Sequence, residues 1–181
     1  MRIVGGQYKG RVLSMPKGIR PTQDKVRKAV FDILQDIEGL SFLELFAGSG
    51  SVGLEAISRG ACEAVFVESN RDCQSVIRKN IESLKAQACA IYPFETERGL
   101  QILHKEGRKF DIVFLDPPYY KDLAKKTLQM LGAYDIVAPN GLVIAQHFKR
   151  DDLPQAAGGL VLFKRSTYGD TQLSLYRKET T

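Results

Sequence analysis

From residue 42 onward, short apolar runs alternate with helix-length stretches, and this alternation most constrains what the chain can fold into. Strand-like runs fall at 42–47, 64–68, 89–92, 110–115 and 142–146, with helical stretches at 52–59, 73–84, 98–105 and 123–131 between them. The strand runs are nearly continuous in apolar residues, as expected when both faces of a sheet are covered. A mostly parallel sheet wrapped by helices follows, an α/β architecture. Two later runs, 160–166 and 172–176, flank Tyr168-Gly169-Asp170 and predict an antiparallel hairpin on the sheet edge.

The segment before this alternation is different. Arg2-Ile3-Val4 and Arg11-Val12-Leu13 flank Gly5, Gly6 and Gly10 and predict a small β-hairpin. Arg2, Lys9, Arg11, Lys17 and Arg20 make the segment basic, and Tyr8 is interleaved. Cations mixed with an aromatic suit phosphate contact and base stacking, while a solvated hairpin that merely caps the domain is the plainer alternative. Thr22 is placed to cap a helix. Val26, Ala29, Val30, Ile33, Leu34 and Ile37 form its apolar face, and Gly39 ends it. No linker divides the chain, so one domain is expected, with residues 1–20 as a basic hairpin extension and 21–181 as the catalytic core.

Of the 181 residues 44% are hydrophobic, enough for a proper core, and the formal net charge is +5. A basic balance favours an anionic partner such as RNA but does not prove one. Cys62, Cys73 and Cys89 lack metal-binding spacing and read as free thiols of a reducing compartment. His104 and His147 are too few for a metal cluster, so no metal is expected. No apolar run reaches membrane-spanning length, and MRIVGGQYKG lacks the apolar stretch of a signal peptide, so the expectation is a cytoplasmic monomer without membrane contact.

Three motifs carry chemistry. Leu43-Glu44-Leu45-Phe46-Ala47-Gly48-Ser49-Gly50-Ser51-Val52-Gly53 reads as strand, glycine-rich turn and helix, and satisfies G-x-G-x-x-G. It predicts an adenosine-type cofactor at the C-terminal ends of the strands without choosing among such cofactors. Glu44 lies inside a strand, where a charge is costly unless paired; it is expected to face the cofactor's amino group, directly or through the backbone of the turn. Glu68 ends the next strand, where a carboxylate can accept from both ribose hydroxyls. Asp111 begins its strand and reads as a polar boundary.

Asp116-Pro117-Pro118-Tyr119 ends the apolar run DIVFL. Consecutive prolines donate no N–H and cannot extend a strand, so they make a rigid loop. An exocyclic amine on an aromatic ring is a poor nucleophile because its lone pair is delocalised. A carboxylate and a backbone carbonyl, each accepting one N–H, can hold that nitrogen pyramidal and free the lone pair to attack the methyl of a sulfonium. Tyr119 is placed to stack on the base. The predicted catalysis is positioning and electrostatics.

The motifs FLELFAGSGSVGLEAISRGA, VFVESN and FDIVFLDPPY occur in the order found in class I methyltransferases that modify amines. With MRIVGGQYKGRVL and IRPTQDKVRKAVFDIL before them and YGDTQLSLYRK after, nearly the whole chain resembles the RsmD family, bacterial 16S ribosomal RNA guanine-N2 methyltransferases. The resemblance implies a Rossmann-like, seven-stranded sheet, S-adenosylmethionine as methyl donor with S-adenosylhomocysteine as product, and as acceptor 16S rRNA in the small ribosomal subunit or an assembly intermediate. It places Glu44, Phe46, Ala47, Gly48, Ser49 and Gly50 at the methionine end of the cofactor, Glu68 on the ribose and Ser69 beside the adenine. Asp116, Pro117 and Tyr119, with Pro118 beside them, would hold the base, and Arg20 and Thr22 would sit at the mouth of the site. The chain departs from the family at Gln146-His147, where relatives carry an acidic residue. It departs again at Tyr92-Pro93-Phe94-Glu95, where Glu95 takes the place of an Asp-containing stretch and could contact the adenine amine.

Two other classes stay open on the residues alone. An NAD-dependent oxidoreductase is compatible with the glycine turn and Glu68 but gives DPPY no role. A non-enzymatic RNA-binding protein on this fold would leave both motifs unexplained. Among amine methyltransferases, DPPY alone also accommodates DNA adenine or a protein amine.

Overall fold

The computed structural model describes residues 1–18, 24–119 and 122–179. The described chain runs α1 (Asp24–Leu34), β1 (Ser41–Leu45), α2 (Ser51–Ser58), β2 (Glu63–Val67), α3 (Arg71–Leu84), β3 (Cys89–Tyr92), α4 (Thr96–Lys105), β4 (Phe110–Leu115), α5 (Leu123–Ala133), β5 (Val137–Phe148), β6 (Ala156–Ala157), β7 (Leu160–Tyr168) and β8 (Thr171–Lys178). They form one eight-stranded sheet in the order β3-β2-β1-β4-β5-β8-β7-β6. Strands β1 to β5 pair in parallel, and β8, β7 and β6 add antiparallel. The Rossmann-like class is as expected. The count differs by one, because the two-residue strand β6 is too short to leave a pattern in the sequence. Among the described residues no helix is long and apolar enough to cross a membrane.

Side-chain alternation divides the core between the two faces of the sheet. Leu43, Leu45, Val113, Leu115, Val143 and Ala145 pack with α4 and α5 residues such as Leu100 and Leu128. Phe42, Phe114 and Ile144 face the other way and meet Val26, Val30 and Phe31 of α1. Helix α1 stops earlier than its apolar spacing suggests. Gln35 takes φ 58 and donates its N–H to the Phe31 carbonyl, so Gln35, not Gly39, ends the helix, and Ile37 is buried in the connecting segment. The Thr22 cap lies outside the described residues.

The N-terminal hairpin is reduced to one isolated antiparallel bridge, Arg2 with Val12. Ile3 and Arg11, Gly10 and Ile3, and Leu13 and Met1 are joined by backbone bonds within the segment, and α2 and α3 take further backbone groups of residues 4–14. Glu55, fully buried in α2, accepts the N–H groups of Val4 and Gly5 at 2.8 and 2.7 Å. Ser58 accepts from Tyr8 N–H at 2.9 Å and donates to the Gly5 carbonyl at 2.6 Å. Gly6 passes so close that a Cβ on it would stand 1.7 Å from the Ser58 carbonyl oxygen, so no other residue fits there. Farther along, Asn80 of α3 holds both the N–H and the carbonyl of Ser14. All eight residues of α2 are therefore buried, sheet on one side and N-terminal segment on the other.

Arg27 of α1 is also fully buried and closes the same cluster. Its guanidinium donates to the Arg2 carbonyl and to Asp24, and its Nε lies 3.7 Å from Glu55. Arg59 reaches the other Glu55 oxygen at 2.8 Å. Removing one partner of a buried pair strands the other charge. Glu55→Ala is therefore expected to destabilise the protein by roughly 3–5 kcal/mol, read by denaturant unfolding. A loss below about 1 kcal/mol, the range of an exposed ion pair, would show that the clasp is not what secures the N-terminal segment.

Candidate active site

Strand register brings the expected residues to one rim. Tyr92 pairs with Val67, Val67 with Leu45, Leu45 with Leu115, and Leu115 with Ala145. The residues one step beyond are Pro93, Glu68, Phe46, Asp116 and Gln146, which therefore lie side by side along the C-terminal edge. Adjacent strands are about 4.8 Å apart, so Glu68 and Asp116, with β1 between them, are separated by roughly 10 Å across the rim. Glu44, Asp116 and Gln146 continue the face that carries Phe42, Phe114 and Ile144.

The glycine turn fills the middle of this rim. Phe46 takes φ 56, which ends β1 two residues earlier than its apolar run suggests, and Gly48 and Gly50 follow with φ 56 and 70. Glu44 is 3% exposed and sits behind the turn, accepting N–H from Gly53 at 2.8 Å and Val52 at 3.4 Å in the first turn of α2. A Cβ on Gly53 would stand 2.5 Å from the Phe66 ring and 3.0 Å from the Glu44 carboxyl, so this approach requires glycine. Glu44 is thus buried behind the turn, with its carboxyl on the backbone of the α2 first turn. Glu68 is half-buried and accepts from Gly48 N–H at 2.7 Å and Asn70 N–H at 2.8 Å, locking the turn to the end of β2. Ala47, Ser49 and Gly50 are buried, and the Ser49 carbonyl accepts from Asn80 Nδ2 at 3.1 Å. Ser69 and Glu95 are exposed at the rim, Glu95 at the start of α4 without a capping bond from its side chain.

In the DPPY loop Asp116 is half-buried, Pro117 buried and Pro118 exposed. The Gln146 amide donates to the Asp116 carboxylate at 2.9 Å. Tyr119 is half-buried, its hydroxyl 3.1 Å from the Thr171 hydroxyl and its ring 6.1 Å from that of Phe148. A shallow, open pocket lies beside Pro117, Pro118 and Tyr119 on the α5 side, with His147, Asp151 and Asp152 in its walls. His147 points to that side, opposite to Gln146. Its Nε2 meets the Ser174 hydroxyl at 2.8 Å and its Nδ1 the Phe148 carbonyl at 2.9 Å. A carbonyl can only accept, so Nδ1 carries the proton and Nε2 accepts from Ser174. Burial pushes this imidazole's pKa down.

Arg2, Lys9 and Arg11 of the basic extension are not gathered at this rim. Residues 5–8 dock on Ser58, at the far end of α2 from the glycine turn, roughly 10 Å along the helix. Lys9 is exposed there, and Arg2 and Arg11 are exposed with their guanidinium groups on the Gly10 and Ser83 carbonyls. Tyr8 is half-buried against the cluster containing Ile3 and Leu13, which leaves only part of its ring for a base. Among the described residues of the segment, Ser14 returns towards the turn, through Asn80. Arg20 and Thr22 lie outside the described residues. Sequence reasoning missed Glu55, Arg27, Asn80 and the bond from Gln146 to Asp116; only the last had a signal, a polar residue following an apolar strand.

The chemistry of this donor set favours a cationic ligand that also carries hydroxyls. Burial pushes the Glu44 pKa up to about 8, against the two backbone N–H groups that favour its anion, and the negative charges of Asp116 and Glu68 add to the rise. The folded state therefore holds a proton on Glu44 that the unfolded chain has released. Stability from this group is fully present below about pH 4.5 and is lost as pH rises towards about 8. The wild type is expected to lose stability relative to Glu44→Gln as pH rises across that window, measured by urea unfolding at a series of pH values. A pH-independent difference would mean that Glu44 is ionised throughout.

A family model described as conserved hypothetical protein 95 matches residues 1–177. Ribosomal RNA small subunit methyltransferase D of Escherichia coli (strain K12) is 33% identical over 182 residues, 99% of this chain and 90% of that protein. The protein of the same name from Haemophilus influenzae is 33% identical over 184 residues, 98% of this chain and 93% of its own. The solved yhhF structure from Escherichia coli superposes with a TM-score of 0.88 at 33% identity, covering 100% of this chain and 99% of that one.

Proposed function

Since the chain belongs to the RsmD family, whose model carries the description conserved hypothetical protein 95, we propose that it methylates the exocyclic N2 amine of a guanine in 16S ribosomal RNA, with S-adenosylmethionine as donor. The observation that carries this reading is the register of the rim. It sets Asp116 one strand from the glycine turn and two strands from Glu68.

The carboxylates fit the donor, which is positively charged and has two ribose hydroxyls. Glu68 would accept from the hydroxyls while keeping Gly48 in place. Phe46, Ala47, Gly48, Ser49 and Gly50 would line the methionine end, where the space beside Gly48 is open. Glu44 would act from behind, holding α2 so that its first turn faces the ligand. Ser69, Glu95 and the exposed ring of Phe94 stand where the adenine would lie. When bound, the donor supplies a methyl group on a sulfonium.

The chain's own part is to hold the acceptor. The Asp116 carboxylate and the Pro117 carbonyl would each take one N–H of the amine, leaving the nitrogen lone pair directed at the methyl carbon. Tyr119, braced by Thr171 and Phe148, would bound the ring. The bulk of the effect would come from fixed geometry and fixed dipoles. Lys9, Arg2 and Arg11 would meet phosphates at a distance from the reacting base, in RNA that runs along α2 and α3.

The test is transfer of radiolabelled methyl from S-adenosylmethionine to unmodified small ribosomal particles, followed by nucleoside analysis for N2-methylguanosine. Asp116→Ala is expected to slow transfer by roughly 10²–10³-fold, the usual cost of losing a transition-state partner, with RNA affinity retained. Undiminished turnover in that variant would refute the holding scheme.

A further inference from the structure

Gln146 carries a feature that the reading above does not use. It is 5% exposed, follows Ala145 in β5 and pairs with Leu173 of β8. Its Nε2 donates to Asp116 at 2.9 Å. Its Oε1 is buried and, among the described residues, has no hydrogen-bond partner. The amide orientation is fixed by chemistry, since a carboxylate can only accept and the NH₂ end must face it. Oε1 is therefore left as an orphan acceptor one carbon away from the group that bonds Asp116.

Such an orphan is destabilising, because the acceptor has given up water without gaining a donor. Nothing in the pairing of β5 with β8 calls for a polar side chain there, and an apolar one of similar volume would fill the space. Holding Asp116 explains the donor half of the amide. It does not explain the unpaired acceptor, which a small rotation of the side chain would present to an N–H on a molecule bound beside Asp116.

We propose that Gln146 selects guanine: its Nε2 fixes Asp116 against the exocyclic amine while its Oε1 accepts the ring N1–H beside that amine. This rests on the proposed transfer to a guanine amine. In guanine the amine and N1–H are separated by one ring carbon, so two neighbouring acceptors, one from Asp116 and one from Gln146, match two neighbouring donors. In adenine and cytosine the ring nitrogen beside the amine is itself an acceptor. Oε1 would then face a lone pair, and a buried acceptor pair with no hydrogen between them disfavours the complex. Gln146 is thus a positioning residue for Asp116 and a specificity residue for the base.

The test compares two RNA substrates that both carry a 2-amino group: unmodified small-subunit RNA with guanosine at the mapped target, and the same RNA with 2-aminopurine there, which lacks N1–H. The wild type is expected to prefer guanosine by roughly 10²-fold or more in kcat/KM. Gln146→Leu is expected to lose rate on guanosine and to lose most of that preference. Gln146→Glu, in its protonated form, can donate to Asp116 and still accept at its carbonyl, and is expected to keep the preference. Gln146→Met, unbranched, serves if leucine disturbs the fold. A preference unchanged in both apolar variants, with both substrates slowed alike, would overturn the assignment and leave Gln146 a purely structural residue. Absence of N2-methylguanosine with the wild type would instead remove the proposed function itself.

Discussion

The approach of α2 to β1 is the contact on which the site depends. Gly53 has no Cβ, so its N–H can reach the buried carboxyl of Glu44 while the helix backbone lies against Phe66. That contact sets where α2 begins. The start of α2 sets the path of residues 46–50, and the path places the Gly48 N–H on Glu68. A carboxyl so deeply buried would ordinarily be replaced by an apolar residue. Here it meets the orphan N–H groups of a helix first turn, which need an acceptor wherever they are buried. The cost of burial shows instead in its raised pKa.

The outer side of α2 is organised by the same logic. Ser51, Glu55 and Ser58 form a polar stripe at helical spacing, and such a stripe normally faces water. In this chain it is buried, because Glu55 and Ser58 supply the bonds that the backbone of residues 4–8 lacks. The N-terminal segment keeps a few backbone bonds across its own turn and draws the rest of its partners from α2 and α3. Asn80 then ties Ser14 to Ser49, so the segment and the glycine turn are braced by one residue. A disturbance at the N-terminus therefore has a short path to the turn.

Much of this was legible in the sequence, and the parts that were not share a cause. The five parallel strands and five helices follow from apolar runs and helical spacing, and the order of the motifs placed Glu68 and Asp116 on one edge. Strand β5 was expected at 142–146 but spans Val137–Phe148, crossing Pro139 and Gly141, residues that read as breakers. It tolerates them at a register irregularity opposite 110–112 of β4. Helix α1 ended at Gln35 because a non-glycine residue took a left-handed conformation, for which no residue type gives notice. The buried pair of Arg27 and Glu55 was hidden for a different reason. Periodicity assigns polar positions to solvent, and only a distant segment, folded back over them, makes them interior. Local patterns report a residue's own element; they do not report what comes to cover it.

The charge distribution makes sense at two distances. The chain carries a net +5, yet the rim gathers Glu68 and Asp116 on either side of the turn. Beyond about 8–10 Å salt screens individual groups, and a polyanion responds to the summed positive field. Within the rim the local carboxylates decide, and they favour a cation and N–H donors over phosphate. The two regions are separated by α2 and α3, with Lys9 and Arg11 at one end and Asp116 at the other. A nucleic acid drawn to the outer surface would thus meet, among the described residues of the rim, carboxylates suited to a base that presents its donors. The neutral Gln146 fits that division: at its position a second carboxylate would add to the repulsion that already raises the Glu44 pKa, whereas an amide supplies an acceptor without the charge.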